Sequence, residues 1–189
     1  MNIPNTLTAI RLFMVPAFVF CYLKGADGSL RYGVVFAAVL FVAAAITDIL
    51  DGYLARKLNQ ITDFGKLADP LADKMMQVAS IWCLAYDQRF SWWIFYVFLI
   101  KECLLVLGSA KLLKFQKFVV YSKWSGKIAT VILFAMIVII MMFDNISKRV
   151  GTIMMIVCII FTMLALFNYL QMYVNARENY RRKKSADEV

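Results

Sequence analysis

Residues 48–73 read DILDGYLARKLNQITDFGKLADPLAD and hold five of the twelve acidic residues of the chain. The stretch lies between two long apolar runs, in a protein of 189 residues that is 62% hydrophobic and 17% charged. Carboxylates close to a lipid interior are unfavourable, and where they occur they tend to mark a functional site.

The apolar residues fall in six blocks, and each block is long enough for a helix of about 20 residues that crosses a bilayer. Runs of this length favour helices over the short alternating strands of a membrane barrel. The predicted helices cover residues 6–23, 32–57, 67–86, 92–113, 123–143 and 150–176. The sequence therefore predicts an all-α integral membrane protein with six transmembrane helices, in a single domain over residues 1–189.

The distribution of charge predicts the orientation of these helices. Most of the 21 Lys and Arg residues lie on the side of the bundle that carries both chain ends. Because basic loops stay in the cytoplasm, we expect both termini and the acidic stretch to face it, in a multi-pass protein of the cytoplasmic membrane. This topology and anionic lipid headgroups explain the net charge of +9, so no nucleic-acid partner is expected.

The spacing of the acidic residues predicts a metal site. Asp48 and Asp51 are three residues apart at the end of the second predicted helix, so both project from one face. Asp69 and Asp73 are four residues apart at the start of the third, and a short link makes the two helices antiparallel. Four converging carboxylates cannot all stay ionised without cations, so either some are protonated or metal ions neutralise them. All-oxygen ligands favour Mg²⁺ or Mn²⁺. They suffice for two ions, an arrangement used in displacement at phosphorus.

Small and basic residues accompany the acids. Gly52 and Gly65 have no side chain, so a base or a phosphate can approach the helix backbone closely at these positions. Arg56 offers a planar fork of donors for a phosphate. The alternative interpretation is that the aspartates only cap or solvate the two helix ends, where they interact with the helix dipole.

These positions together carry a family resemblance. The pattern resembles the signature of the CDP-alcohol phosphotransferase family: Asp48-x-x-Asp51-Gly52-x-x-Ala55-Arg56, then eight residues, then Gly65-x-x-x-Asp69-x-x-x-Asp73. The resemblance implies that a phosphatidyl or similar group moves from a CDP-linked donor to an alcohol, with release of CMP. It also implies a homodimer.

The resemblance also implies roles for individual residues. The four aspartates would hold two divalent ions, and Asp73 would in addition be the general base that deprotonates the acceptor hydroxyl. The lipid tails of CDP-diacylglycerol make it the expected donor. The residues expected at the donor site are Asn5, Thr8, Gly52, Ala55, Arg56 and Gly65.

The acceptor is predicted from three weaker cues. The start of the chain, NIPNTLTAIRLFMVP, resembles family members that make phosphatidylglycerophosphate or cardiolipin. Lys101-Glu102 stands where members that use glycerol 3-phosphate have an Arg-Glu pair, and Ala129 stands where a second lysine is usual. The residues expected to bind the acceptor are Arg11, Lys101, Lys123 and Lys127. Alternatively, Arg11 only extends to the headgroups, and the lysines only fix the topology.

The expected reaction is the transfer of a phosphatidyl group from CDP-diacylglycerol to glycerol 3-phosphate, giving phosphatidylglycerophosphate and CMP. Within the family, phosphatidylglycerol (as in cardiolipin synthases), serine or inositol phosphate are alternative acceptors. An ion transporter is the alternative from another class. Transporters tend to carry their acids near the membrane midplane on broken helices with repeat symmetry, whereas these acids lie at helix ends in a chain without an evident repeat.

Overall fold

The computed structural model describes residues 3–57, 63–115, 124–164 and 167, with side chains for 9–50, 71–104, 128–164 and 167. This part of the chain is all-helical, as predicted. The helices are α1 (Ile3–Ala26), α2 (Gly33–Lys57), α3 (Asp63–Tyr86), α4 (Trp92–Phe115) and α5 (Trp124–Met142), followed by α6 over residues 148–164.

Three of the observed helices, α1, α3 and α4, extend beyond their predicted ranges, whereas α2 and α5 lie within theirs. Helix α3 begins at Asp63, whereas the apolar run predicted a start at residue 67, and α1 begins at Ile3 in place of residue 6. Apolar runs mark the part of a helix that a membrane would cover, whereas backbone hydrogen bonds continue through charged residues such as Asp63 and Lys66.

Helices α1, α2 and α3 form successive antiparallel neighbours, and α1 packs against both of the others. The first turns of α1, the last turns of α2 and the first turns of α3 therefore lie at one end of the bundle, which we call the motif end. The other end, which we call the turn end, carries the connections at residues 27–32, 87–91 and 143–147.

Two glycines allow α1 and α2 to approach closely near the turn end. A Cβ atom added to Gly25 would lie 2.3 Å from the backbone nitrogen of Val34, and one added to Gly33 would lie 2.5 Å from the carbonyl oxygen of Cys21. No larger residue fits at such distances. Small residues at helix contacts are typical of membrane helices, whose backbones pack closely.

Aromatic side chains fill the interior between α1, α2 and α5. Phe18 and Phe41 are fully buried, and their ring centroids lie 6.0 Å apart. Phe134 of α5 stacks on Phe41 with centroids 4.8 Å apart. Such pairs add to the stability from apolar burial, and they hold α5 against the α1–α2 pair.

The outer surface is apolar. Phe13, Ile49 and Val131 are 76%, 71% and 67% exposed, on three different helices. Soluble monomers rarely expose large contiguous apolar patches, so this surface is that expected of a protein in contact with lipid. Within the described residues, two helical windows, Ala9–Ala26 and Gly33–Leu50, are long and apolar enough to cross a bilayer.

A charged network joins the connections at the turn end. The Tyr22 hydroxyl donates a hydrogen bond to Asp87 Oδ2 (3.0 Å), which also accepts one from Arg89 Nε (2.7 Å). Arg89 Nη2 donates to Asp144 in the α5–α6 connection. Burial alone would lower the pKa of the Arg89 guanidinium, but its hydrogen bonds to Asp144 and Asp87 raise that pKa above its ordinary value. The guanidinium therefore stays charged, and the network joins α1 to the α3–α4 and α5–α6 connections.

Candidate active site

The motif end brings together one arginine and two of the predicted metal ligands. Arg11 of α1 is fully buried, and its Nη1 donates a hydrogen bond to Asp48 Oδ1 of α2 at 2.9 Å. The same nitrogen lies 3.5 Å from Asp73 Oδ1 of α3. The side chains of Asp48 and Asp73 are 37% and 32% exposed. Three helices thus direct charged groups to one point that remains open to solvent.

This geometry fits a site for hard cations. Carboxylate oxygens from α2 and α3 converge on a single positive group, and oxygen ligands of this kind suit Mg²⁺ or Mn²⁺. The side chains of Asp51 and Asp69 lie outside the described ones. Among the side chains that are described, no group of three or more metal-binding residues occurs.

Arg11 was predicted to bind the acceptor, and its observed contacts are with Asp48 and Asp73. Its role toward the acceptor stays a prediction. A guanidinium between two carboxylates neutralises part of their charge, so Arg11 is placed to limit the repulsion between α2 and α3 at this end.

The predicted donor residues lie on the same helix ends, as far as the backbone shows. Gly52, Ala55 and Arg56 are in the last turns of α2, and Gly65 is in the first turn of α3. The side chains of Ala55 and Arg56, and those of Asn5 and Thr8 in the first turns of α1, lie outside the described ones. Their role in donor binding stays a prediction.

A second charged cluster links α3 to α4. Lys101 and Glu102 are buried, with 3% and 4% of their surfaces exposed. Lys101 Nζ lies 2.6 Å from Glu102 Oε1, and Lys74 Nζ of α3 contacts Glu102 Oε2. The Lys101 ammonium also lies 4.6 Å from the ring centroid of Phe98. We refer to Lys74, Glu102 and Lys101 as the α3–α4 triad.

The sequence pointed to only part of this triad. Lys101 is a predicted acceptor residue, and Glu102 belongs to the prediction as its partner in the Lys101-Glu102 pair. Lys74, which directly follows Asp73, is among the basic residues that predict the topology, and the sequence predicts no other role for it. Of the other two predicted acceptor residues, Lys123 lies outside the described residues, and Lys127 is described only by its helical backbone in α5.

Comparison with known proteins agrees with the motif. The profile of the family described as CDP-alcohol phosphatidyltransferase matches residues 1–168. The chain is 30% identical over 182 residues to the CDP-diacylglycerol–glycerol-3-phosphate 3-phosphatidyltransferase of Sodalis glossinidius, covering 90% of this chain and 93% of the relative.

Two further relatives carry related names. The protein of the same name from Bacillus subtilis is 35% identical over 137 residues, with 68% of this chain and 70% of the relative covered. A protein of Mycobacterium tuberculosis named "Probable phosphatidylglycerophosphate synthase" is 34% identical over 129 residues, covering 68% of this chain and 60% of the relative. The chain belongs to the CDP-alcohol phosphatidyltransferase family.

Proposed function

We propose that this protein transfers the phosphatidyl group of CDP-diacylglycerol to glycerol 3-phosphate, giving phosphatidylglycerophosphate and CMP. The structural observation that carries the proposal is that Asp48 and Asp73, two of the four motif aspartates, converge from two helices at one partly exposed point. The names of the relatives support this donor and this acceptor, and they support an enzyme over an ion transporter.

Four aspartates would hold the divalent ions. Asp48 and Asp73 already direct oxygens to one point, and Asp51 and Asp69 are one helical turn away on α2 and α3. Two bound Mg²⁺ or Mn²⁺ ions would neutralise the diphosphate of the donor and stabilise the charge that develops on departing CMP. The four aspartates orient the reacting phosphorus at the motif end.

Asp73 is the proposed general base. Its carboxylate accepts the proton of the acceptor hydroxyl, whose oxygen forms a bond to the lipid-side phosphorus of CDP-diacylglycerol. The bond between this phosphorus and the oxygen shared with CMP breaks, and CMP leaves with the bonding electrons. The partial exposure of Asp73 supports this role, because a proton can pass from it to water before the next turnover.

Basic residues would select a phosphate-bearing acceptor. Arg11 lies at the carboxylates, and Lys101 carries a buried ammonium on α4. Lys123 directly precedes α5 in the sequence, and Lys127 lies in the first turn of α5. Asn5, Thr8, Gly52, Ala55, Arg56 and Gly65 are the proposed donor residues.

The proposed setting is the cytoplasmic membrane. The apolar outer surface and the two apolar windows support a membrane protein. Six transmembrane helices in a single domain, with both termini and the motif end in the cytoplasm, are proposed from the apolar runs and the distribution of basic residues in the sequence. There, water-soluble glycerol 3-phosphate reaches the motif end while the lipid tails of the donor stay in the bilayer. A homodimer is proposed from the family resemblance.

The test is CMP release by the purified protein in detergent, with CDP-diacylglycerol, Mg²⁺ and one acceptor at a time. The acceptors are glycerol 3-phosphate, phosphatidylglycerol, serine and inositol phosphate. We expect release with glycerol 3-phosphate alone, and its loss in Asp73→Asn. The matched control is Asp27→Asn, because Asp27 is an exposed carboxylate in the α1–α2 turn. Release with a different acceptor would overturn the proposed acceptor, and release that persists in Asp73→Asn would overturn the proposed base.

A further inference from the structure

The α3–α4 triad has an excess of positive charge. Two ammonium groups, those of Lys74 and Lys101, share the single carboxylate of Glu102. Lys101 and Glu102 are both more than nine-tenths buried. These two form a neutral pair, so the excess positive charge lies with Lys74, whose side chain is 37% exposed and can be reached by an anion from solvent. The triad is therefore suited to bind an additional anion.

Its position in the fold indicates which anion. Lys74 directly follows Asp73 on α3, so the triad adjoins the carboxylates of the motif end. There, Asp48 and Asp73 outnumber Arg11, so the described groups carry an excess of negative charge. An anion that binds the triad is thus held beside the proposed general base. The acceptor of the proposed reaction carries its phosphate a short distance from its hydroxyl.

We propose that Glu102 is a displaceable counter-ion, and that Lys74 and Lys101 together bind the phosphate monoester of the acceptor. This inference rests on the proposed function for the identity of the acceptor. Both Nζ atoms contact the same carboxyl group, so one tetrahedral anion of similar size can contact both. The phosphate replaces Glu102 as the partner of the ammonium groups and forms charge-assisted hydrogen bonds with them.

The two lysines differ in exposure and in the number of contacts that hold them, and this difference indicates a separate role for each. Lys101 is held by burial, by Glu102 and by the ring of Phe98. The Lys74 side chain is 37% exposed, so it can turn from Glu102 toward a phosphate that arrives from solvent. Lys74 is therefore the group that discriminates phosphate-bearing acceptors from neutral alcohols, and Glu102 is a positioning residue that holds both ammonium groups before the substrate binds.

A purely structural role for the triad leads to different results. If the ion pairs only join α3 to α4, loss of Lys74 lowers thermal stability and leaves both Michaelis constants unchanged. If Lys74 binds phosphate, its loss raises KM for glycerol 3-phosphate and leaves KM for CDP-diacylglycerol unchanged.

The experiment compares Lys74→Gln, Lys74→Arg and the matched control Lys24→Gln, since Lys24 is an exposed lysine at the turn end. KM is measured for each substrate in turn. We expect Lys74→Gln to raise KM for glycerol 3-phosphate about tenfold or more, as for a lost hydrogen bond between charged groups. Lys74→Arg retains most of the affinity, and Lys24→Gln resembles the unsubstituted protein. Unchanged KM values in Lys74→Gln would overturn the proposal.

A binding measurement separates this inference from the proposed function. Thermal unfolding of the detergent-solubilised protein is followed with inorganic phosphate or glycerol 3-phosphate and without any CDP-linked donor. We expect both anions to raise Tm in the unsubstituted protein and to do so less in Lys74→Gln. We expect Glu102→Gln to be protected at lower phosphate concentrations, because the competing carboxylate charge is gone. Protection lost in Lys74→Gln would support the phosphate site even if the transfer reaction used another acceptor, whereas equal protection would exclude it.

Discussion

The two ends of the bundle each carry one arginine between two aspartates, yet they differ in almost every other respect. At the motif end, Arg11 contacts Asp48 and Asp73, which come from two other helices and lie far apart in sequence. At the turn end, Arg89 contacts Asp87, two residues away, and Asp144 of the next connection. Arginine with two aspartates is therefore not in itself evidence of a functional site.

The surroundings of the two sets decide their functions. Asp48 and Asp73 are accompanied by two further aspartates at helical spacing, and all four belong to the family motif. By contrast, Oδ2 of Asp87 accepts a hydrogen bond from the Tyr22 hydroxyl, so this carboxylate oxygen already has a partner within the protein. The motif aspartates are therefore the proposed ligands of the cations, whereas the charges at the turn end hold the connections between helices together.

The largest predicted difference between the ends is in catalysis. Asp73→Asn removes the proposed base and one proposed metal ligand, so we expect kcat to fall by about 10²–10⁴-fold. Asp87→Asn at the turn end retains substantial activity, since no reacting group lies there. The measurement is CMP release at saturating substrates. Equal losses of kcat in the two variants would contradict the assignment of different functions to the two ends.

The second predicted difference is in stability. Arg89→Gln leaves Asp87 without its charged partner and releases Asp144, so we expect the protein to lose about 1–3 kcal/mol of stability. The folded fraction of the variant keeps its KM for both substrates. Thermal unfolding in detergent gives the stability, and steady-state kinetics gives KM. A variant with normal Tm and altered KM would show that the turn end takes part in substrate binding.

A smaller effect is expected within the turn end itself. The Asp144 side chain is 82% exposed, whereas that of Asp87 is 24% exposed and also bonded to Tyr22. Asp144→Asn should therefore lower Tm less than Asp87→Asn, because exposed ion pairs contribute little. The comparison is made by thermal unfolding of the two variants under identical conditions. The opposite order would mean that the contact of Arg89 with Asp144 stabilises the protein more than its contact with Asp87.

The helices and the family could be predicted from the sequence, whereas the side-chain contacts between helices could not. Apolar run length indicated six helices, and the spacing of Asp48 and Asp73 within the motif indicated that α2 and α3 would bring acids together. Periodicity gives the face on which a residue lies, but not the partner that faces it. The contact of Lys74 with Glu102 depends on how α3 packs against α4, so the sequence alone did not indicate it.

The partners of Arg11 illustrate the same limit. The sequence predicts that Arg11 binds the acceptor or, alternatively, only extends to the headgroups. Its contact with Asp48 at 2.9 Å depends on the packing of α1 against α2 and α3, which the sequence alone does not reveal. The turn end gave no signal in the sequence, because Asp87, Arg89 and Asp144 resemble ordinary loop charges until the connections meet.

The central claim is that the motif end carries out metal-dependent phosphatidyl transfer to glycerol 3-phosphate. The most direct measurement is mass-spectrometric detection of phosphatidylglycerophosphate made by the purified protein from CDP-diacylglycerol and glycerol 3-phosphate. Identical reactions contain either Mg²⁺ or an excess of chelator. We predict product with Mg²⁺, none with chelator, and recovery when Mg²⁺ or Mn²⁺ is restored. Product at an undiminished rate in chelator, or no product with Mg²⁺ or Mn²⁺ from folded protein, would contradict the claim.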